Sequence, residues 1–234
     1  MMKIFSSVKA IKAILGLTFT VLLASCGSQD KKQADLQKSS KAATLPYYAE
    51  ASFTPNWLEE GDEALQDFHQ IPDFELYSQL GDTITANTLD GKIYVADFFF
   101  TICPGICPKM TSNMAILQEE FSGDEEVMLL SHTVTPEMDS VSVLHEYGEL
   151  KGINPEKWLL LTGERKTIYD LGRQFYFAEE DRGLNRTEDE FLHTENFLLI
   201  DKNRHIRGIY NGLNKTDINQ LIADIKTLQQ EYAL

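Results

Sequence analysis

The sequence predicts an α/β sandwich built on a mainly parallel sheet with one antiparallel hairpin at its edge. Three observations carry this. Short apolar runs alternate with segments whose apolar residues recur every three or four positions, in the order strand, helix, strand, helix, strand, helix, hairpin, helix. The two late runs "ENFLLID" and "HIRGIYNG" flank the polar "KNR" and read as a hairpin. The composition, 43% apolar and 24% charged over 234 residues, is that of a globular domain able to bury a core without metal or disulfide.

Each element follows from its residues. "FELYSQLGDTIT" reads as two short strands around a Gly-Asp turn, and "KIYVADFFF" as a buried strand. Met110, Met114, Leu117 and Phe121 mark one helical face, and Pro108 suits the first turn of that helix, where its missing N–H would be unpaired anyway. "VMLLSHTVT" is a strand. "DSVSVLHEYGELKG" is a helix with Asp139 or Ser140 as cap and Gly152 at the stop. "KWLLLTG" is a strand, and "RKTIYDLGRQFYF" a helix with Ile168, Leu171 and Phe175 inward. In "KTDINQLIADIKTLQQEY", Thr216 is the expected N-cap, with Ile218, Leu221, Ile222, Ile225 and Leu228 as the apolar stripe.

Residues 1–25 carry Lys3, Lys9 and Lys12 and then an apolar run from Ala13 to Ala24, the n-region and h-region of a secretory signal peptide. The run is shorter than the roughly 20 residues needed to span a bilayer. "LASC", Leu23 to Cys26, resembles the lipobox of bacterial lipoproteins, which implies that Cys26 becomes the lipidated first residue of the mature protein. Residues 26–66 then form a tether and arm, and 67–234 the domain. The expected location is extracytoplasmic, on the periplasmic side, anchored to a membrane by the N-terminus. The formal charge of −15 argues against nucleic acid or anionic lipid as partners.

Two of the three cysteines lie in "TICPGICPKM", between a strand ending near Phe100 and a helix beginning near Pro108. Cys107 then sits at a helix N-terminus, where unpaired N–H groups favour thiolate. Cys103 lies in the preceding loop, and Pro104 and Pro108 limit how far the sulfurs can separate. A purely structural disulfide would close only a few residues and stabilise little. A structural zinc site wants four closed ligands, and no second cysteine pair exists. Thiol–disulfide exchange and binding of a soft metal remain.

Soft Cu(I) prefers thiolates and accepts imidazole. Of the five histidines, His69 precedes the domain core, His132 lies within a strand, His145 is on a helix and His205 is in the hairpin. His193 stands in a loop just before a buried strand, the sort of place where sites assemble in α/β sheets. Met110 and Met114 have the helical spacing of core residues, and Lys109 reads as a solvated residue at the helix start. No arginine beside the cysteines activates a peroxidatic thiolate, which weakens a thiol peroxidase reading.

Together "FFFTICPGICPKM", "VTPEMDS" and "FLHTENFLLIDKNRHIRGIYNG" resemble the SCO/SenC family of copper-binding proteins over roughly residues 67–234. The resemblance implies a thioredoxin-like, three-layer fold and a membrane-tethered protein that prepares the binuclear copper centre of cytochrome c oxidase. Cys103 and Cys107 match the family's two thiolate ligands and its redox couple, and His193 its imidazole ligand. Asp139 matches the second acid where relatives often carry Asp-Pro-x-Arg-Asp, which makes it a candidate support for the ligand set. Thr135 and Met138 replace the first acid and the arginine. Implied partners are the copper-bearing oxidase subunit and a copper or thiol donor.

Two functions follow from these residues. One is a copper metallochaperone binding through Cys103, Cys107 and His193. The other is an extracytoplasmic thiol-disulfide oxidoreductase using the Cys103/Cys107 couple. The spacing is CxxxC rather than CxxC. In addition, "HTENFLLID" has His193 and no proline where thioredoxin-like reductases carry a cis-proline. Both features favour metal.

Overall fold

The structure is a computed structural model describing residues 44–59, 61–178 and 194–233. The expected signal peptide, Cys26, most of the expected tether and His193 lie outside the described residues. Among the described residues seven strands form one sheet: β1 Glu75–Ser78, β2 Thr83–Thr85, β3 Ile93–Phe99, β4 Val127–Thr133, β5 Trp158–Thr162, β6 Asn196–Ile200 and β7 Ile206–Asn211. Among the described residues four α-helices accompany them: α1 Cys107–Glu120, α2 Val141–Lys151, α3 Arg165–Asp170 and α4 Lys215–Glu231. Among the described residues, no helix is long and apolar enough to cross a membrane.

The strand order is β2-β1-β5-β4-β3-β6-β7. Parallel pairing is confined to β3 with β4 and β4 with β5, and the other four pairings are antiparallel. The expected mainly parallel sheet is thus corrected to a mixed one. Only β3–α1–β4 and β4–α2–β5 supply the helical crossovers that parallel neighbours require. The β1–β2 hairpin adds on antiparallel beside β5, and the β6–β7 hairpin beside β3.

Alternate residues of β3 serve two cores. Ile93, Val95 and Phe99 pack with Met110, Met114 and Leu117 of α1, Leu144 of α2 and Ile218, Leu221 and Ile225 of α4. Tyr94, Ala96 and Phe98 face Ile168 and Tyr169 of α3. All seven residues of β3 are buried, as a strand covered on both faces requires. The result is the expected three-layer α/β sandwich.

Local chemistry sets the element ends. Ser140 caps α2 by accepting from the Val143 N–H, and Gly152 ends it in the left-handed conformation at φ 68°. For α4 the expected cap Thr216 is corrected to Asn214, whose Oδ1 accepts from the Thr216 N–H at 2.9 Å. The helix after β5 is shorter than its pattern predicts: α3 passes into a π-helical turn at Leu171–Phe175. Ile168 and Leu171 are buried as expected, whereas Phe175 is only half-buried.

Residues 44–48 pack onto the domain, with Leu45 and Tyr47 buried. Tyr48 bridges to Ile206 on the edge strand β7. The buried Arg207 guanidinium donates to the Leu45 and Pro46 carbonyls, Asp201 and Glu231, and lies 3.9 Å from the Tyr47 ring centroid. This clasp joins the arm, β7 and the end of α4.

Candidate metal and thiol site

The site is built at one end of the sheet. β3 and β4 run parallel with Phe99 opposite Thr133, so the Cys103 loop and the 134–140 turn leave from the same end. β6 runs antiparallel to β3, with Ala96 opposite Leu198, so Thr194 leads into β6 at that end too. The β6–β7 turn, and the Arg207 clasp near it, lie at the other.

Cys103 is half-buried in the loop, and Cys107 is buried at the first position of α1. Neither is in a disulfide. The helix starts as Lys109 and Met110 both donate to the Ile106 carbonyl, with Pro108 in its first turn. Gly105 leaves room beside the Cys103 sulfur: a Cβ there would lie 3.9 Å from Sγ.

The two thiols hold their protons oppositely. Burial raises the Cys103 thiol, but hydrogen bonds from Cys107 and the backbone at Gly105, Ile106 and Cys107 outweigh it and leave the thiol below its ordinary value. Burial and the neighbouring Cys103 sulfur push the Cys107 thiol up to about 12, against a partial offset from the backbone at Phe100. The expected thiolate preference of Cys107 at the helix N-terminus is therefore corrected. Cys107 is in place, but desolvation exceeds the helix dipole, and the backbone N–H groups serve Cys103.

Asp139 is fully buried. Its Oδ1 accepts from Thr101 Oγ1 at 2.5 Å and its Oδ2 from the Thr101 N–H at 3.3 Å. The Thr133 hydroxyl also donates to Oδ2, and the Thr135 hydroxyl does so at 3.0 Å. Thr101 stands two residues before Cys103. Met138 and Ile102, the sequence neighbours of Asp139 and Cys103, are 54% and 62% exposed.

The four described histidines do not join the cysteines. His132 is buried on the opposite face, stacked on Phe98 at 5.0 Å. His145 is exposed on α2. His205 donates through its Nδ1–H to the His69 carbonyl, at the far end of the sheet. Among the described residues no cluster of three His, Cys, Asp or Glu is poised to hold a metal. The cysteine pair supplies two soft donors. Met110 and Met114 are fully buried, as expected of core residues.

One site residue escapes the sequence reading. Asp97, in the middle of β3, faces the same core as Cys107, and its Oδ1 has no partner among the described residues. Burial pushes its carboxyl up to about 7, with the Ser131 hydroxyl opposing. The available signal was an acid inside the otherwise apolar run "KIYVADFFF".

The sequence model of the SCO1/SenC family matches residues 62–230. The chain belongs to the SCO1/SenC family. Solved relatives have the same fold. A SCO1/SenC family lipoprotein from Bacillus anthracis is 30% identical with a TM-score of 0.61, covering 69% of this chain and 95% of its own. BsSco, described as a Sco family cytochrome c oxidase assembly protein with a disulfide switch, is 27% identical with a TM-score of 0.59, covering 69% and 94%. Copper-bound ScoI of Arabidopsis thaliana is 27% identical with a TM-score of 0.53, covering 68% and 98%. As a SCO1/SenC protein, this chain keeps the thioredoxin-like sandwich and has its CxxxC pair at the end of β3.

Proposed function

We propose that the chain is a copper metallochaperone that binds Cu(I) as cargo through Cys103, Cys107 and His193 and delivers it to the binuclear copper site of cytochrome c oxidase. The single observation carrying this reading is the reduced cysteine pair at the sheet end where β3, β4 and the approach to β6 converge. His193 is one residue before Thr194 in the sequence. Two thiolates and a neutral imidazole make a soft, low-coordinate and exchangeable set for Cu(I). Family membership and the copper-bound plant ScoI support the metal, and BsSco supports the oxidase. The B. anthracis lipoprotein supports a lipid-anchored location; attachment at Cys26, outside the cytoplasm, rests on the lipobox-like Leu23 to Cys26.

The test is anaerobic Cu(I) titration of the reduced full chain against a chromogenic chelator, beside Cys103→Ser and His193→Ala. One tight copper per chain, weakened by both substitutions, is expected. Full affinity in His193→Ala would remove the imidazole from the site.

The unequal thiols favour a second reading, a thiol-disulfide oxidoreductase in which Cys103 attacks and Cys107 resolves. A disulfide between them would remove both thiolates from copper, so the two activities exclude each other in one molecule at one moment. Rapid disulfide cycling with no competitive copper uptake would select this reading.

A further inference from the structure

The Asp139 carboxylate is a hub between three pieces of chain. It receives both the N–H and the hydroxyl of Thr101, at the start of the cysteine loop. It also receives the hydroxyl of Thr133, the last residue of β4, and that of Thr135, at the start of the following turn. Its own N–H donates to the Thr135 carbonyl at 2.8 Å, and the next residue, Ser140, caps α2. Three donors reach Oδ2 and one reaches Oδ1, and the residue is fully buried, so this acid is spent inside the fold rather than on a surface partner. What it can do is hold position.

Cys107 is fixed by α1, whose Met110 and Met114 are fully buried. Cys103 lies between that helix and Thr101, in a stretch of five residues, Ile102 to Ile106, outside any helix or strand. Fixing Thr101 therefore limits the Cys103 Sγ from the upstream side, as α1 limits it from the downstream side.

We propose that Asp139 is the positioning residue of the thiol pair, holding Cys103 beside Cys107 through Thr101 so that both sulfurs meet one metal without a further ordering cost. This rests on the copper reading for its metal consequence, but not for its effect on the thiols. Groups that orient ligands are commonly worth 10–100-fold in metal affinity.

The test uses Thr101→Val, which keeps shape and the backbone N–H but removes the hydroxyl, with Thr101→Ser as rescue. Thr133→Val is the control, because it touches the same carboxylate from the end of β4 rather than from the cysteine loop. Asp139→Asn supplies the double-mutant cycle with Thr101→Val. Four readouts are taken on the full chain: Tm, the Cu(I) release rate to a chelator, the alkylation rate of Cys103, and the equilibrium of the pair with glutathione. Thr101→Val is expected to speed copper release about 10-fold and shift the thiol–glutathione equilibrium, Thr101→Ser to restore both, and Thr133→Val to lower Tm without either change. If the wild type takes up no copper, the copper reading fails while the alkylation and glutathione arms still decide the role of Asp139. If Thr101→Val lowers Tm and leaves both thiol readouts at wild-type values, or matches Thr133→Val in all of them, Asp139 is a fold element alone and the proposal is overturned.

Discussion

Cys103 and Cys107 share a hydrogen bond across one turn of chain, and the half-buried partner gives up its proton more readily than the buried one. The thiolate, not the thiol, attacks electrophiles and disulfides. With Cys107 pushed up to about 12, almost none of it is ionised at neutral pH. Iodoacetamide at pH 7.5 should therefore label Cys103 at least 10-fold faster, read by peptide mass spectrometry. In Cys107→Ser, Cys103 trades a thiol hydrogen bond for a hydroxyl one and should stay reactive. In Cys103→Ser, the remaining thiol should stay slow. Equal labelling of both would mean that the helix N-terminus outweighs burial at Cys107.

Asp97 and His132 bind protons in opposite senses, so their effects on stability oppose each other. The Asp97 carboxyl rises from 3.8 to about 7. The folded chain therefore holds a proton that the unfolded chain has lost, and stability present at low pH is lost as pH climbs towards 7. His132 falls from 6.5 to about 4 because burial disfavours its cation. Its contribution is present above 6.5 and is lost as pH drops towards 4. A tenfold change in proton affinity is about 1.4 kcal/mol, so ionising Asp97 in place costs the fold on the order of 4 kcal/mol. Asp97→Asn should gain on wild type in urea melts as pH rises from 5 to 8. A constant difference across that range would show that Asp97 does not titrate in the fold.

Arg207 is the only cation bonded to both Asp201 and Glu231 among the described ion pairs, and Asp201 is fully buried. Removing one partner of such a pair typically costs about 3–5 kcal/mol, because the other charge stays buried. Arg207→Met should lower the urea midpoint accordingly and open residues 44–56 to protease under native conditions. Copper affinity should hold, since the clasp lies at the other end of the sheet from the cysteines. Coincident loss of copper would show that the two ends are coupled.

Gly212 sits where no Cβ fits. An added one would lie 2.7 Å from the Phe197 ring and 2.9 Å from the Glu195 carbonyl oxygen. The Gly212 N–H donates to that carbonyl at 2.7 Å, and its own carbonyl accepts from Asn113 of α1 at 2.6 Å. Gly212→Ala should cost about 1–3 kcal/mol by overpacking. Glu195 is two residues beyond His193 in sequence, so copper should weaken more than in a core variant of equal cost such as Ile225→Val. Equal copper affinities at equal Tm would show that the strain is not passed on.

Several features were legible because they depend on neighbours in the chain. The buried strand "IYVADFF", the α1 face of Met110, Met114 and Leu117, and the Ser140 and Gly152 ends of α2 follow from periodicity and capping. The Asn214 cap was misplaced by two residues because Asn214 and Thr216 are both capable acceptors, and only backbone geometry chooses between them. The sheet was read as mainly parallel because alternation says which elements exist, not which strands become neighbours.

The cysteine pair, its spacing and the helix that follows were determined by the sequence alone, since they lie within a dozen residues of each other. Tertiary structure decided how the two thiols differ. Desolvation at Cys107 and the backbone donors around Cys103 depend on what packs over the loop, and a helix start read from sequence carries no measure of burial. It also decided that Asp139 is a buried hub rather than a surface contact, because Thr101 and Asp139 meet only once β3 and β4 lie side by side.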